Sequence, residues 1–257
     1  MGRSKVITIK GGELNVAIYK TGILNRNRRI DYGNTMVDSK TLLKNSRIKV
    51  IIEGEEIFIY SIVTPRVESK KLYLIIRNDL INKFHDIENL IFDYRIYSKK
   101  KNSLQVTVYC INIENLPLLD EELLKNSIIK SIKVIQGEYV NCYSEKLKKY
   151  VSKVRSCATK LNHKEFILVA NKDEYIYIMK VEQGILVSNR VTLYHDYKVH
   201  EEMKNFLQEA NQGEQNTERI YIFVREGYED IKIARVSEIE RYLLGSRFLA
   251  DDVMECK

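Results

Sequence analysis

Short apolar runs separated by polar turns dominate the chain, and the first of them predict a three-stranded β-meander. The sequence from residue 6 reads VITIKGGELNVAIYKTGILNRNR, and from residue 166 it reads FILVANKDEYIYIMKVEQGILVSNR. A Gly-Ile-Leu triplet and an Asn-Arg pair recur 162 residues apart, which indicates an internal repeat. Glu13 and Glu174 are 161 residues apart, so we expect one extra residue in the second turn. The alternative is a chance likeness between two meanders rich in Ile and Val.

The segment between the two meanders predicts further strands and helices. We expect a helix over 38–45, and then a hairpin of strands 47–52 and 56–63 around Glu53-Gly54-Glu55. After this hairpin, the pattern predicts a β-α-β-β-α-β unit at about 71–135. Its elements are a strand at 72–77, a helix from 79 to 84, strands at 91–97 and 104–111, a helix at 117–126 and a strand at 128–135.

The last part of the chain predicts a long helix, the second meander and a final group of elements. Apolar residues at steps of three and four predict the long helix over 138–161. A second helix is expected over 201–210, with Met203, Phe206 and Leu207 on its buried side. Strands are expected at 220–225 and 231–236.

Composition places the chain among ordinary globular proteins. It has 257 residues, of which 44% are apolar and 30% charged, enough for one large domain or two lobes. The first ten residues, MGRSKVITIK, lack the apolar core of a signal peptide, and no apolar run is long enough to span a membrane. We therefore expect a cytoplasmic protein. Its four scattered cysteines predict reduced, mostly buried thiols.

The net charge of +7 favours an anionic partner, which could be a nucleic acid, a membrane surface or an acidic protein. The tyrosines, 17 in number, raise the possibility of base stacking, but most alternate within predicted strands, where half-buried aromatics are usual. The densest basic positions, and hence the candidate contacts to an anionic partner or membrane, are Arg26, Arg28, Arg29, Lys99, Lys100 and Lys101.

The order of a meander, an inserted β-α-β-β-α-β unit, a connecting helix and a second meander resembles the actin-like ATPase superfamily. Within it, the layout looks most like the PilM-type type IV pilus assembly proteins and the cytoplasmic domain of the type II secretion L protein. The nearest local likeness is the stretch 74–90, followed by Phe92-Asp93-Tyr94 and the strand 105–110. The resemblance implies an α/β, actin-like (ribonuclease H-like) fold of mixed sheets. Its two lobes would be 1–160 and 161–257, with the subdomain at about 71–135 inserted in the first.

Actin-like proteins that bind ATP carry an Asp-x-Gly-Ser/Thr phosphate loop in the first hairpin, where the Asp helps to hold the metal. By the resemblance, the two degenerate loops fall on Thr8, Lys10, Gly11 and Gly12, and on Val169, Ala170 and Asn171. Gly11 and Gly12 beside Lys10 could cradle an anion, although a Gly pair between strands is more often a tight turn. Because the Asp is missing, we expect no ATPase activity and no cofactor. The spacing of His195 and His200 does not stack them on one helix face, so we expect no metal site.

The resemblance implies a non-enzymatic cytoplasmic scaffold of a type IV pilus or type II secretion assembly machine, at the inner face of the membrane. Its expected partner is the cytoplasmic tail of a bitopic inner-membrane protein, held in a groove between the first meander and the inserted unit. An assembly ATPase is a second expected partner, and no nucleic acid is expected. Two alternatives stay open: a degenerate actin-like protein that still binds ATP, and a basic nucleic-acid-binding module.

Overall fold

The structure, a computed structural model, describes residues 4–10, 13–20, 28–32, 47–112, 114, 128–153, 162–194, 199–210, 219–225, 228–235 and 238–239. The strands and helices in these ranges are β1 (Ser4–Lys10), β2 (Glu13–Lys20), β3 (Arg28–Tyr32), β4 (Arg47–Glu53), β5 (Phe58–Pro65), α1 (Ser69–Phe84), β6 (Leu90–Lys99), β7 (Ser103–Asn112), β8 (Ile128–Val134), α2 (Ile135–Lys153), β9 (Phe166–Lys172), β10 (Tyr175–Glu182), β11 (Ile185–Leu193), α3 (Val199–Ala210), β12 (Arg219–Arg225) and β13 (Tyr228–Ala234). The chain divides into two compact units, Met1–Tyr139 and Val140–Lys257. The predicted lobe boundary at residue 160 and the predicted helices at 38–45 and 117–126 lie outside the described residues.

The first unit contains a five-stranded mixed sheet with the order β3-β2-β1-β4-β8. Strands β1, β2 and β3 form an antiparallel meander. Its third strand is Arg28–Tyr32, whereas the predicted opening of that strand at Gly22-Ile23-Leu24 lies outside the described residues. Strand β4 instead runs parallel to both of its neighbours, β1 and β8. Val50 and Ile52 of β4 are buried, as is usual for parallel strands inside a sheet.

The second unit contains a five-stranded sheet with the order β11-β10-β9-β12-β13. Its first four strands repeat the order and the directions of the first sheet, with an antiparallel meander and one parallel neighbour. The fifth strand differs, because β13 forms an antiparallel hairpin with β12, whereas β8 is parallel to β4. Met203, Phe206 and Leu207 of α3 pack against this sheet, which confirms the predicted buried side of that helix.

Strand registers show how far the sequence repeat extends into the structure. Lys10 pairs with Glu13, and 162 residues later Lys172 pairs with Tyr175. Both hairpins therefore have two residues between their strands, and the expected extra residue in the second turn is wrong. The third strands differ, since residues 21–27 separate β2 from β3, whereas Gln183 and Gly184 alone separate β10 from β11. Both Gln183 and Gly184 have positive φ, which suits a tight hairpin turn.

A subdomain inserted between β4 and β8 has a three-stranded antiparallel sheet of its own, in the order β5-β7-β6. The predicted hairpin of strands 91–97 and 104–111 is confirmed as β6 and β7. Helix α1 covers one face of this sheet, where its apolar residues meet those of β7. The buried residues of this core are Leu72, Ile76, Leu80, Leu104, Val106, Val108 and Cys110.

The predicted strand at 72–77 is wrong, because these residues lie within α1. The sequence LYLIIR suits a strand by composition, but Leu72, Ile76 and Leu80 are the buried positions and they recur at helical spacing. Tyr73 and Leu74, between them, are 46% and 54% exposed. Packing against β7 therefore selects the helix over the local preference for strand.

Two pairings in the first unit also differ from the prediction. Strands 47–52 and 56–63 do not form a hairpin, because β4 pairs with β1 and β8 while β5 pairs with β7. The turn at Gly54, with a φ of 82°, leads the chain out of one sheet and into the other. The strand predicted at 128–135 is β8, which joins the first five-stranded sheet rather than the inserted one. The inserted sheet instead takes its first strand from β5.

The predicted long helix over 138–161 is α2, which begins at Ile135 and is described as far as Lys153. Val140, Tyr143 and Leu147 are its buried apolar residues within the second unit. The steps of three and four between them form an apolar stripe, of which Leu147 was predicted. The other predicted members, Val151, Val154, Ala158 and Leu161, lie outside the side chains that the structure describes.

Candidate functional site

The first of the two degenerate phosphate loops starts inside a strand. Thr8 is half-buried in β1, where it pairs with Asn15 of β2 and Ile51 of β4. Lys10 is the last residue of β1. Gly11 and Gly12 follow it and lie outside the described residues. The position where an actin-like ATPase carries its Asp is therefore a threonine in the middle of a sheet.

The residues predicted for the second loop also lie inside a strand. Val169 and Ala170 are fully buried in β9, and the strand continues through Asn171 to Lys172. The turn itself consists of Asp173 and Glu174, whose side chains are exposed. Asp173 has a φ of 54°, and the backbone amide of Tyr194 donates a hydrogen bond of 2.7 Å to the carbonyl oxygen of Glu174. The second hairpin thus carries two carboxylates, which the sequence alignment of the loops had missed.

One end of the inserted subdomain collects exposed cations from two segments that are distant in sequence. Lys99, Lys100 and Lys101, which the sequence singled out, lie at the turn between β6 and β7. The backbone amide of Arg66 donates a hydrogen bond of 3.2 Å to the carbonyl oxygen of Asn102, which joins this turn to the segment before α1. The resulting basic end comprises Arg66, Lys70, Lys71, Lys99, Lys100 and Lys101, all of them exposed.

The N-terminus of α1 adds positive potential to the basic end. Glu68 is the N-cap residue, but its side chain makes no capping hydrogen bond, and the first turn of the helix contains no acidic residue. The unpaired amides of a helix start carry a partial positive charge. Within 65–71 and 98–103, Glu68 is the one acidic residue against six cations. The sequence had shown the lysine turn but had not connected it with Arg66, Lys70 and Lys71.

The other predicted basic positions belong to a different sheet where the structure describes them. Arg28 and Arg29 lie on β3, at an edge of the first five-stranded sheet, and Arg26 lies outside the described residues. Among the tyrosines that raised the possibility of base stacking, Tyr177 and Tyr221 are core residues, 1% and 0% exposed, whereas Tyr73 and Tyr228 are 46% and 37% exposed. Buried rings cannot serve as platforms for bases.

Exposed apolar residues are concentrated on the same inserted subdomain. In the part of the chain that the structure describes, six large apolar residues are strongly exposed, and four belong to this subdomain: Phe58, Val63, Tyr73 and Leu74. Tyr73 stacks on Phe92 of β6 with ring centroids 5.1 Å apart. Phe58 packs edge-on against Phe84 of α1 at 5.3 Å.

A polar cluster holds β5 against α1 beside Phe58. The Tyr60 hydroxyl donates a hydrogen bond of 2.8 Å to Asp79, and Lys83 contacts both the Asp79 carboxylate, at 2.9 Å, and the Tyr60 ring, at 4.4 Å from its centroid. Burial and the Asp79 carboxylate raise the pKa of Tyr60 above its usual range. The hydroxyl therefore stays protonated and acts as a structural donor.

A second tyrosine, in the other unit, fixes α2 to β13. The Tyr143 hydroxyl donates to Glu229 over 3.1 Å, and Lys146 forms an ion pair with the same carboxylate. The Lys146 ammonium also lies 4.6 Å from the centroid of the Tyr143 ring. Burial, with the nearby Glu229 charge, raises the pKa of Tyr143 to about 12. These contacts hold α2 against β13.

Among the described residues, we find no further site formed by cysteine thiols, by metal ligands or by a membrane-spanning helix. Cys110 is buried in β7, where burial raises its pKa to about 11, whereas Cys142 is exposed on α2, contrary to the expectation of buried thiols. Within the described ranges no three His, Cys, Asp or Glu side chains are grouped to hold a metal ion. In those same ranges no helix is long and apolar enough to cross a membrane.

Comparison with known proteins gives structural matches at low sequence identity. No protein-family model matches the chain, and no curated protein gives a significant match. A Bacteroides thetaiotaomicron protein with an actin-like ATPase fold and unknown function is similar at 14% identity, over 82% of this chain and 76% of that one (TM-score 0.44). A PilM–PilN type IV pilus biogenesis complex matches at 12% identity, over 81% of this chain and 66% of that one (TM-score 0.48). The cytoplasmic domain of EpsL, an inner-membrane component of the Vibrio cholerae type II secretion system, matches at 8% identity, over 77% and 74% (TM-score 0.44).

The strand order defines the class of fold. In both units the first strand of the meander also pairs with a parallel strand, β1 with β4 and β9 with β12. In the first unit a subdomain is inserted before β8, the last strand of the sheet. The sheets are mixed α/β, and the two meanders with one inserted subdomain are the layout that the resemblance to the actin-like fold implies.

Proposed function

We propose that the chain is a non-enzymatic scaffold of a type IV pilus or type II secretion assembly machine, working at the inner face of a membrane. Its partner would be the cytoplasmic tail of a bitopic inner-membrane protein, with an assembly ATPase as a second partner. The PilM–PilN complex belongs to type IV pilus biogenesis, and EpsL belongs to a type II secretion system. The observation that carries the proposal is the basic end of the inserted subdomain.

The basic end suits an anionic membrane surface because its charges are exposed and concentrated. Six cations lie around the N-terminus of α1, with Glu68 as the one acidic residue in the two segments. A lysine or arginine near an anionic leaflet contributes about 1 kcal/mol of attraction. Six such residues therefore give enough attraction to hold a soluble domain at the surface while leaving it reversible.

The exposed apolar residues of the same subdomain suit a protein partner. Tyr73 and Leu74 present apolar surface on α1, and Tyr73 is held in place by stacking on Phe92. A membrane-anchored tail that leaves the bilayer near the basic end would meet these side chains first. The groove expected between the first meander and the inserted unit stays a prediction. Of the side chains of β1, β2 and β3, the structure describes Thr8 alone.

The experiment is affinity capture of the full chain from solubilised membranes, coupled to a deletion strain. The expected results are enrichment of a bitopic inner-membrane protein by the wild-type chain, its loss with K99E/K100E/K101E, and failed pilus or secretion assembly in the deletion strain. A matched variant, K148E/K164E/K204E, changes the net charge equally at exposed lysines of the second unit and should capture the protein normally. Capture of no membrane-anchored protein, with normal assembly in the deletion strain, would refute the scaffold.

One observation favours a second candidate, a degenerate actin-like protein that still binds nucleotide. The second hairpin turn carries the exposed carboxylates of Asp173 and Glu174, and carboxylates are the usual protein ligands of Mg²⁺. Calorimetric titration with ATP, with and without Mg²⁺, separates the candidates. Sub-millimolar binding that is lost in Asp173→Asn or Lys10→Ala would establish the nucleotide binder, whereas the scaffold predicts no such binding.

A further inference from the structure

Strand β5 is an edge strand without the usual protection of an edge. Of the strands that the structure describes, β7 is the one that pairs with β5. The residues of β5 read FIYSIVTP, and none of them is charged. Natural sheets protect their edges with charged residues, bulges or prolines, because an unprotected edge pairs with any available strand. In β5 the only such device is Pro65, at its last position.

The five other edge strands in the described sheets show the contrast. Each of β3, β8, β11, β13 and β6 contains at least one charged residue. In β6, the opposite edge of the same sheet, Asp93, Arg95 and Lys99 are exposed, and a register shift between Ile96 and Ser98 interrupts the pairing with β7. Strand β5 pairs with β7 over its full length without such a shift.

The side chains of β5 are exposed where a strand partner would cover them. Val63 is 75% exposed and Phe58 is 50% exposed, and Ser61 between them is also exposed. On the α1 face, Tyr60 and Ile62 pack against the helix core, so the sheet is already supported from that side. The strand is therefore supported on one face, uncharged and accessible, which are properties that favour strand addition.

Charges at the two ends of β5 indicate which strand fits. Glu55 and Glu56 precede the strand, and Arg66 follows it. A second β5 running antiparallel would bring the acidic start of each copy beside the basic end of the other, whereas a parallel copy would bring like charges together. The strand is thus complementary to itself in the antiparallel direction only.

We propose that β5 pairs with β5 of a second copy, antiparallel, about a two-fold axis through Ser61. In this register Tyr60 faces Ile62 of the second copy, Ile59 faces Val63, and Glu56 approaches Arg66. Residues directly opposite each other share a face, so both α1 helices would lie on one side of a continuous six-stranded sheet. A self-complementary contact of this kind closes into a dimer. The proposal is independent of the scaffold function, and either can fail alone.

Sedimentation of the full chain over a range of concentrations tests the dimer. The wild-type chain should dimerise, and Val63→Lys should raise the dissociation constant at least about tenfold, since it places a charge at the paired edge. Leu193→Lys adds the same charge at a 50% exposed position of the second unit and should leave the dimer unchanged. Glu56→Arg and Arg66→Glu should each weaken the dimer, and the double variant E56R/R66E should restore it. A monomer at all concentrations, including one whose β5 binds a different protein, would overturn the proposal.

A disulfide cross-link tests the register. Antiparallel partners have Cα atoms about 4.5–5.5 Å apart, within the range that a disulfide spans. Under mild oxidation, Ser61→Cys should therefore form a disulfide that joins position 61 of one copy to position 61 of the other, identified by mass spectrometry of the linked peptides. Ser69→Cys, exposed at the start of α1, is the matched control and should not cross-link. A dimer that resists Val63→Lys and gives no link at position 61 would contradict pairing through β5.

Discussion

The backbone amide of Arg66 donates a hydrogen bond to the carbonyl oxygen of Asn102, and this 3.2 Å contact joins two basic segments that are distant in sequence. It extends the pairing of Pro65 with Ser103 by one residue and so places Arg66 beside the lysine turn at 99–101. With it, the turn and the start of α1 form one exposed surface of six cations. The electrostatic behaviour of the protein should therefore depend on this surface more than on its overall charge.

Charge reversal at the basic end should release the protein from anionic membranes. In K99E/K100E/K101E, three attractions of about 1 kcal/mol each become repulsions, so partitioning onto vesicles of phosphatidylserine and phosphatidylcholine should fall by about 100-fold or more. Vesicle flotation at low and physiological salt measures the change. The charge-matched variant K148E/K164E/K204E should lose no more than a few-fold. Equal losses in both variants would show that net charge, and not the basic end, governs the binding.

Residues 69–84 should respond to substitution as a helix and not as a strand. Ile76→Ala and Leu80→Ala remove fully buried side chains and should lower the free energy of unfolding by about 2–5 kcal/mol each. Leu74→Ala, at a 54% exposed position, should change it by about 0.5 kcal/mol or less. Urea unfolding followed by circular dichroism gives the three values. A large loss at Leu74 equal to that at Ile76 would favour the strand.

Tyr143 should make folding stability sensitive to alkaline pH. Its folded pKa, about 12, lies above the ordinary tyrosine value, so the neutral hydroxyl stabilises the folded state below about pH 10. This contribution should be lost as the pH rises from about 10 to 12. Tyr143→Phe, which keeps the ring and removes the hydroxyl, should cost about 1 kcal/mol at neutral pH and flatten part of the alkaline loss. Denaturant unfolding of both chains between about pH 8 and 12 tests this (the range brackets the shift), and parallel curves would contradict it.

Two glycines should respond in opposite directions to alanine. Gly184 has a φ of +77° in the β10–β11 turn, so Gly184→Ala should destabilise the protein by about 1–2 kcal/mol although the space is open. Gly137 lies in α2, and a Cβ there would meet Val134 at an ordinary 3.8 Å. Gly137→Ala should therefore stabilise the protein by about 0.5–1 kcal/mol. Thermal unfolding of the two variants measures both, and a neutral Gly184→Ala would argue against the tight turn.

Sequence patterns were sufficient where the structure is decided locally. The two meanders, the β6–β7 hairpin and the buried side of α3 follow from alternation and helical spacing within a few residues. The failures concern long-range choices. Strand β4 could pair with β5 in a hairpin, but β1 and β8 occupy both of its edges. The local sequence Glu53-Gly54-Glu55 fits a hairpin turn as well as the observed connection between two sheets.

The candidate site divides in the same way. The lysines at 99–101 were visible because they are consecutive, but their association with Arg66 depends on a contact between residues 36 positions apart. The Glu13–Glu174 spacing of 161 suggested an extra residue in the second turn, but the paired strands keep the 162-residue offset of the Gly-Ile-Leu match. Register, and not residue identity, shows that the turn is Asp173-Glu174.

Site-specific photo-cross-linking in cells tests the scaffold at the membrane most directly. A photoreactive amino acid in place of Lys100, at the basic end, should form an adduct with a membrane-anchored protein, and the same group in place of exposed Lys204 on α3 should not. Adducts at position 100 with nucleic acid or with soluble proteins alone, or no adduct at all, would contradict the account.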